Sequence, residues 1–253
     1  MFYADPNPAG KPAVLLLHGL GTDGQSWGFQ IPALLSNGVR PIILDIPGFG
    51  KSSYGKRNWN IPGVAAEIAR MMVDVLPSPL SLVGISMGGT IAIQIALDFP
   101  ECVERLVLVN TFASLRPRRL RDMAFLITRY MRVNLLGIEA QAELAAQRIF
   151  PEPDQEPLRK ILIATILQSD PAVYRAAMRS LGLFNVKSRL AEIRKPTLVV
   201  TGTLDSTVPP AVQAVLAARI SGAKQVLIPG GRHGVIADHP ELFNQVLLDF
   251  LLG

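Results

Sequence analysis

The segment Gly84-Ile85-Ser86-Met87-Gly88 constrains the fold of this chain more than any other stretch. An apolar run ends at it and an apolar-periodic segment follows without a loop, so the sequence predicts a strand, a sharp turn and a helix. The glycines lack the Cβ atoms that would collide there, which permits a strained backbone at Ser86. The same pattern also occurs by chance in loops, and serine is in addition a common N-cap of helices. The flanking strand and helix favour a nucleophile at Ser86, with the Met87 N–H at the positive end of the helix.

Apolar runs alternate with helical patterns along most of the chain. The first ten residues are rich in Pro, Asn and Gly, and we expect them to be irregular. Helices are predicted around 27–38 and over 61–76, 211–220 and 240–252, and capping-box spacing makes Asp238 a structural cap of the last helix. Six strands are predicted: 13–17, 39–44, the run that ends before Ser86, 103–109, 197–201 and 225–228. This alternation predicts an α/β fold with a mostly parallel, doubly wound sheet.

An insertion over residues 112–190 interrupts the alternation. Its apolar residues recur at helical spacing between prolines and glycines, which predicts several short helices. We therefore expect a core of residues 1–111 and 191–253 with an inserted helical cap of residues 112–190. The insertion carries 13 Lys and Arg against 7 Asp and Glu. Its arginine cluster, Arg116, Arg118, Arg119 and Arg121, is either a solvated helix face or a surface that attracts acidic substrates, acidic partners or an anionic membrane.

Composition narrows the remaining classes of protein. A chain of 253 residues with 49% hydrophobic content fits one domain with an insertion. No apolar run reaches the length of a membrane span and the start does not resemble a signal peptide, so we expect no integral membrane association and no export. The single cysteine, Cys102, agrees with a cytoplasmic location. The arginines lack aromatic interleaving or a recognition motif, which argues against nucleic acid as a partner.

Two further polar residues follow predicted strands, as Ser86 does. Asp205 comes after the strand over 197–201, and His233 comes after the strand over 225–228. Because the carboxyl ends of parallel strands meet at one edge of a sheet, we expect the three side chains to converge. A neutral imidazole at His233 suits a base for Ser86, and Asp205 would hold the ring in the required tautomer. The three residues follow one another in the chain order Ser, Asp, His. His18 precedes all of them and does not fit this order, so we interpret it as a support for the glycine-rich loop that follows it.

Together these features resemble the α/β-hydrolase-fold serine hydrolases that carry a helical cap. The matching residues are His18-Gly19, Asp45-x-Pro47-Gly48-x-Gly50-x-Ser52, the turn around Ser86, Asp205 and His233. The resemblance implies an oxyanion hole made by the backbone N–H groups of Leu20 and Met87, and we expect no cofactor and no metal ion. It further implies a hydrolase of small carboxylic esters or lactones that works through an acyl-enzyme. Carbon–carbon bond hydrolases, thioesterases and perhydrolases of this family share the same triad and stay as alternatives.

Two alternatives come from other classes of protein. The pattern Gly19-x-Gly21-x-x-Gly24 after a strand, with Asp45 closing the next one, is also typical of an NAD(P)-dependent oxidoreductase. A noncatalytic ligand-binding protein could retain the same three polar residues. The insertion also contains large apolar residues that either line an acyl pocket or form part of the core. These residues are Met123, Phe125, Tyr130, Met131, Phe150 and Phe184.

Overall fold

Seven strands form one sheet in the computed structural model, which describes residues 1–55, 58–115 and 137–253. The strands are β1 (Tyr3–Ala4), β2 (Ala13–Leu17), β3 (Arg40–Leu44), β4 (Leu80–Ile85), β5 (Val103–Val109), β6 (Thr197–Gly202) and β7 (Lys224–Ile228). Their order across the sheet is β1-β3-β2-β4-β5-β6-β7. Every neighbouring pair is parallel except β1 and β3. The carboxyl ends of β2 to β7 therefore share one edge of the sheet.

Nine α-helices lie in the described ranges. They are α1 (Ile31–Ser36), α2 (Ile61–Asp74), α3 (Met87–Asp98), α4 (Gly137–Ile149), α5 (Glu156–Leu167), α6 (Pro171–Leu183), α7 (Pro210–Arg219), α8 (Val235–Asp238) and α9 (Pro240–Leu252). Short 3-10 turns occur at Gly24–Trp27, Pro100–Cys102, Pro153–Gln155 and Leu190–Glu192. No helix of the described ranges combines the length and the apolar character that a membrane span requires.

The fold class is confirmed, and the six predicted strands agree with β2 to β7 to within one residue at each boundary. The expectation of an irregular N-terminus is wrong in part, because Tyr3 and Ala4 pair antiparallel with Leu44 and Ile43. A strand of two residues shows no alternation of polar and apolar side chains, so its sequence carries no strand signal. This short strand covers an edge that β3 would otherwise expose.

Several boundaries of the predicted helices differ from those of the structure. The segment expected as one helix around 27–38 divides into a 3-10 turn and α1, and the helix expected over 61–76 ends at Asp74. Proline at 157 and 171 lies in the first turn of α5 and α6, where its missing N–H is tolerated, and so begins these helices. Glycine at 182 lies inside α6 and does not end it.

Alternate residues of the central strands pack into two separate hydrophobic clusters, one on each face of the sheet. Leu15 and Leu17 of β2 face one cluster, while Val14 and Leu16 face the other. All four are fully buried. Strands that are covered on both faces read as continuous apolar runs, which explains why their boundaries were predictable.

The helices α4, α5 and α6, called here the cap helices, lie between β5 and β6 in the chain. Their buried apolar side chains join the cluster on the face of the sheet that carries Leu15 and Leu17. The segments before and after the insertion lie side by side. Ser114 forms an antiparallel bridge with Asn185, and the Val186 N–H donates to the Ala113 carbonyl. Side chains of the cap helices approach loops that follow the strands, since a Cβ atom at Gly21 would meet the Tyr174 ring and one at Gly234 would lie 3.1 Å from Ile149 Cγ2.

Candidate active site

Ser86 occupies the turn between β4 and α3 with a positive φ of 53°, a strained conformation for a residue with a side chain. A Cβ atom at Gly88 would collide with the Leu17 carbonyl group of the neighbouring strand, and one at Gly84 would collide with the backbone of Gly88. Both glycines are therefore required by close backbone approach, as the sequence predicted. The Ser86 N–H donates to the Val109 carbonyl at 2.9 Å, which fixes the turn against β5.

Ser86, His233 and Asp205 form one continuous chain of hydrogen bonds. His233 Nε2 lies 3.1 Å from Ser86 Oγ, and His233 Nδ1 lies 2.9 Å from Asp205 Oδ2. The Asp205 side chain is fully buried and that of His233 is 9% exposed. A proton on Nδ1 satisfies Asp205 and leaves Nε2 as an acceptor for the Ser86 hydroxyl proton. The structure thus brings together the three side chains that the sequence singled out, across 147 residues of chain between Ser86 and His233.

Four donors surround the carboxylate of Asp205. Its Oδ1 accepts from the N–H groups of Thr207 and Val208 at 2.8 and 2.9 Å. Its Oδ2 accepts from His233 and also from Gln213 Nε2 at 3.0 Å. Hydrogen bonds to the charged form stabilise a buried carboxylate. Gln213, on α7, was not predicted, because nothing in the local pattern of α7 marks one glutamine as a partner of Asp205.

The Asn110 side chain connects the end of β6 with the loop that carries His233. It is fully buried, follows β5 directly and has a positive φ of 44°. Its Nδ2 donates to the carbonyls of Arg232 and His233 at 2.7 and 2.9 Å. Its Oδ1 accepts from the Gly202 N–H at 2.9 Å at the end of β6. A polar residue at the carboxyl end of a parallel strand is the signal that would have singled it out.

His18 supports the glycine-rich loop after β2, as predicted. Its Nε2 accepts from the Ile46 N–H at 2.9 Å, and its Nδ1 lies 2.8 Å from the Gly19 carbonyl, which assigns the proton to Nδ1. Complete burial disfavours the charged ring and lowers the pKa of His18 to about 4. A neutral His18 therefore holds two loops together and is not the base of Ser86.

The Asp45 carboxylate stabilises two loops through hydrogen bonds to their backbone N–H groups. Its two carboxylate oxygens accept from the N–H groups of Gly24 and Lys51, each at 2.8 Å, and the residue is buried. The nucleotide interpretation requires this carboxylate to bind a ribose hydroxyl group. Because both oxygens already hold loop amides, the geometry speaks against an oxidoreductase site here.

The two predicted oxyanion donors are the N–H groups of Leu20, in the loop after β2, and of Met87, the residue after Ser86. Met87 is the first residue of α3, so its N–H has no acceptor within the helix. Within the described residues the Leu20 N–H donates no hydrogen bond. A Cβ atom at Gly19, the residue before Leu20, would lie 3.9 Å from the Ser86 Cβ atom, so this loop runs beside the serine.

A cavity of about 760 Å³ opens at Ser86 and His233 and extends under the cap helices. Most side chains that line it are apolar, and they include Leu20, Ile85, Phe112, Phe150, Leu162, Ile166, Tyr174 and Val208. Of the six apolar residues of the insertion that could line a pocket or form core, Phe150 lines the cavity, while Phe184 packs edge to face against Phe112 in the core. The other four, Met123, Phe125, Tyr130 and Met131, lie outside the described residues, as do Arg116, Arg118, Arg119 and Arg121.

The capping role predicted for Asp238 is wrong. His239 is the N-cap of α9 and makes no side-chain capping bond. The Asp238 carboxylate accepts from the Arg232 N–H at 2.9 Å and lies 3.0 Å from His239 Nδ1. The four-residue helix α8 turns this side chain towards the loop that carries His233, and no spacing rule foresees that turn. Asp238 is structural as expected, but its contact is with the histidine loop.

Comparison with known proteins agrees with this geometry. The family model for the alpha/beta hydrolase fold matches residues 12–240. A pimeloyl-[acyl-carrier protein] methyl ester esterase of Yersinia enterocolitica is 28% identical over 258 residues, covering 94% of this chain and 92% of the esterase. The crystal structure of a hydrolase from Pseudomonas aeruginosa superimposes with a TM-score of 0.88 at 26% identity, covering 98% of this chain and 93% of that one.

The enol-lactonase of Burkholderia xenovorans has the same fold, with a TM-score of 0.89 at 23% identity over 100% of this chain and 96% of the lactonase. These similarities extend over nearly the whole length of each protein. They agree with the fold and the resemblance that the residues around Ser86, Asp205 and His233 predicted. The chain belongs to the alpha/beta hydrolase fold family.

Proposed function

We propose that this protein is a serine hydrolase of carboxylic esters or lactones, in which Ser86 is the nucleophile, His233 the general base and Asp205 the group that orients the imidazole. One observation carries the proposal: the hydrogen-bonded chain from Ser86 Oγ through His233 to Asp205 opens onto a cavity. A serine hydroxyl is a weak nucleophile until an adjacent base accepts its proton. The separation of 3.1 Å between Ser86 Oγ and His233 Nε2 suits that transfer.

In the proposed reaction, Ser86 Oγ attacks the acyl carbon while its proton moves to His233 Nε2. The imidazolium that forms is stabilised by Asp205, which keeps its own charge. His233 then gives the proton to the leaving alcohol, and the acyl group stays on Ser86. Water attacks this acyl-enzyme with His233 again acting as base, which releases the acid and restores the serine.

The developing oxyanion would be held by the N–H groups of Leu20 and Met87. Support comes from the first position of Met87 in α3 and from a Leu20 N–H that donates to none of the described residues. Donors that are already in position stabilise the transition state more than the ground state, since they need no reorganisation as charge develops. The positive end of the α3 dipole adds to the same effect.

The cavity favours substrates with an apolar part of moderate size. Its volume of about 760 Å³ and its mostly aliphatic and aromatic wall fit the small-molecule sites of folded proteins. The similar Yersinia enterocolitica protein is named for a methyl ester, and the Burkholderia xenovorans protein is named for an enol-lactone. We extend to this chain the chemistry that these names share, which is attack on the carbonyl group of an ester.

We further propose that residues 112–190 form a cap over a core of residues 1–111 and 191–253. The bridge between Ser114 and Asn185 at the base of the segment supports this division, and so do the cap helices, which line the cavity. Cys102 is buried and unpaired, which supports the proposed cytoplasmic location.

Turnover of p-nitrophenyl esters of increasing acyl length, before and after a fluorophosphonate probe, tests the proposal. We expect hydrolysis that stops as one probe molecule labels Ser86, identified by peptide mapping. Retained turnover in the labelled protein would remove Ser86 from the mechanism. Binding of the esters without turnover would instead favour the noncatalytic ligand-binding protein. Matched thioester substrates, tested in parallel, separate an esterase from a thioesterase.

A further inference from the structure

Gln141 is a buried amide that has no hydrogen-bond partner among the residues that the structure describes. It lies in the second turn of α4 and is 1% exposed. Its Oε1 has no partner, and within the described residues its side chain makes no hydrogen bond at either end. Most buried polar side chains in folded proteins are hydrogen-bonded, so an unpaired amide requires an explanation. Its neighbours on α4, Ile138 and Ala142, are buried and apolar and offer it no partner.

Gln141 is one of the residues that line the cavity, together with Ser86 and His233. The wall of this cavity is mostly aliphatic and aromatic, and Gln141 is one of the few polar residues in it, together with Arg148, Arg179 and others. A glutamine provides one acceptor, two donors and no net charge. It therefore complements an uncharged group that can both donate and accept, because the amide carries no charge that would balance a desolvated ion.

The helix places Gln141 at a distance from the end of α4 that packs beside His233. The last residue of α4, Ile149, and the following Phe150 lie against Gly234, the residue after His233, since a Cβ atom there would be 3.1 Å from Ile149 Cγ2 and would meet the Phe150 ring. Gln141 precedes Ile149 by eight residues, which at the rise of an α-helix is about 12 Å along the axis. A group bound at Gln141 is therefore separated from the reacting carbonyl by several bonds.

We propose that Gln141 recognises an uncharged hydrogen-bonding group, such as a hydroxyl, an amide or a second ester, that the substrate carries several methylene groups from its scissile carbonyl. This inference rests on the proposed function and names the substrate class of that site. A site that presents a buried polar group discriminates against analogues that leave the group unpaired. Plain alkyl esters are then the poorer substrates, although they match the apolar wall.

The test compares two kinds of matched substrate. Methyl esters of ω-hydroxy acids are measured against the unsubstituted methyl esters over a series of chain lengths, and acetates of terminal diols against acetates of the matching alkanols. The first comparison places the polar group on the acyl side and the second places it on the alcohol side. At one chain length we expect the hydroxylated ester to have a kcat/KM at least about tenfold higher on one of the two sides.

Gln141→Met removes the amide with little change in side-chain length or helix propensity. We expect this variant to lose most of the tenfold preference, and its Tm to be equal to that of the wild type or higher, because an unpaired buried amide is replaced by an apolar group. Gln147→Met is the matched control, since Gln147 is an exposed residue of the same helix. The control should keep the wild-type preference and activity.

The outcomes separate this inference from the proposed function. If the wild type hydrolyses neither kind of ester, the proposed function fails. If the wild type hydrolyses both with no preference at any chain length, or if Gln141→Met keeps the preference, the role of Gln141 is overturned and the esterase assignment stands. A fall in the Tm of Gln141→Met by several degrees, with the preference retained, would assign Gln141 a purely structural role.

Discussion

Gln213 donates a hydrogen bond of 3.0 Å to Oδ2 of Asp205, the same oxygen that accepts from the imidazole of His233. The Gln213 side chain is fully buried, and its Nε2 also donates to the Val208 carbonyl at 2.7 Å. One amide thus holds the carboxylate and the loop that carries it. Within the described residues Gln213 makes no hydrogen bond to Ser86 and does not line the cavity, so we expect any effect on catalysis to act through Asp205.

Replacing Gln213 by Leu should therefore lower kcat by about tenfold while KM changes little, because one of four donors to Asp205 is lost. Steady-state kinetics over a range of pH measures the effect, and a shift in the pH dependence of kcat distinguishes it from a loss of packing. Gln225→Leu is the control, since the Gln225 amide donates to Thr201 Oγ1 within the sheet. Equal losses in the two variants would argue against a positioning role.

Ser86→Ala should reduce kcat at least about 10³-fold, because it removes the proposed nucleophile and leaves the rest of the site in place. Ser86→Gly should be equally inactive and more stable than Ser86→Ala by about 1 kcal/mol, since glycine accepts the positive φ of 53° without strain. Denaturant unfolding of the two variants measures that difference. A Ser86→Ala protein that keeps wild-type kcat would contradict the proposed mechanism.

Asn110→Ala leaves the carbonyls of Arg232 and His233 and the N–H of Gly202 without a side-chain partner. We expect the free energy of unfolding to fall by about 3 kcal/mol or more, and kcat to fall because the His233 loop loses its support. Asn37→Ala is the control, since the Asn37 side chain is exposed and bonds only within its own helix end. Asn110→Asp keeps the acceptor for Gly202 but turns a buried carboxylate oxygen towards the two carbonyls, so it should be no more stable than Asn110→Ala.

The buried neutral His18 makes stability depend on pH. Its pKa is about 4 in the folded protein against 6.5 for an ordinary histidine. Between these values the unfolded chain binds more protons than the folded one, so the free energy of unfolding rises with pH over this window. As the pH falls from 6.5 through 4, the protein should lose about 3 kcal/mol from this residue alone.

His18→Gln should flatten that dependence, because glutamine can accept from the Ile46 N–H without a titrating ring. Urea unfolding at a series of pH values measures the slope for each protein. His239→Gln keeps His18 and should keep the wild-type slope. If His18→Gln is less stable than the wild type but equally dependent on pH, the acid sensitivity comes from other groups.

The sequence alone predicted much of the fold and of the candidate site, for local reasons. The strands β2 to β7 read as apolar runs because both faces of the sheet are covered. The turn at Ser86 is specified by two glycines within four residues of each other, and Asp205 and His233 were found because each follows a strand whose carboxyl end lies at the common edge. All of these signals are contained in short windows of sequence.

The tertiary structure decided which of the remaining polar residues meet. Asn110 reaches residues 92 and 122 to 123 positions away in the chain, and Gln141 is unusual only because the fold encloses it beside a cavity. For Asp238, spacing predicted a helix cap, but the short helix α8 turned the carboxylate to Arg232 instead. Hydrophobic periodicity predicts which face of a helix or strand is buried. A hydrogen bond between distant elements depends on how those elements pack against each other, and a short window of sequence does not contain that information.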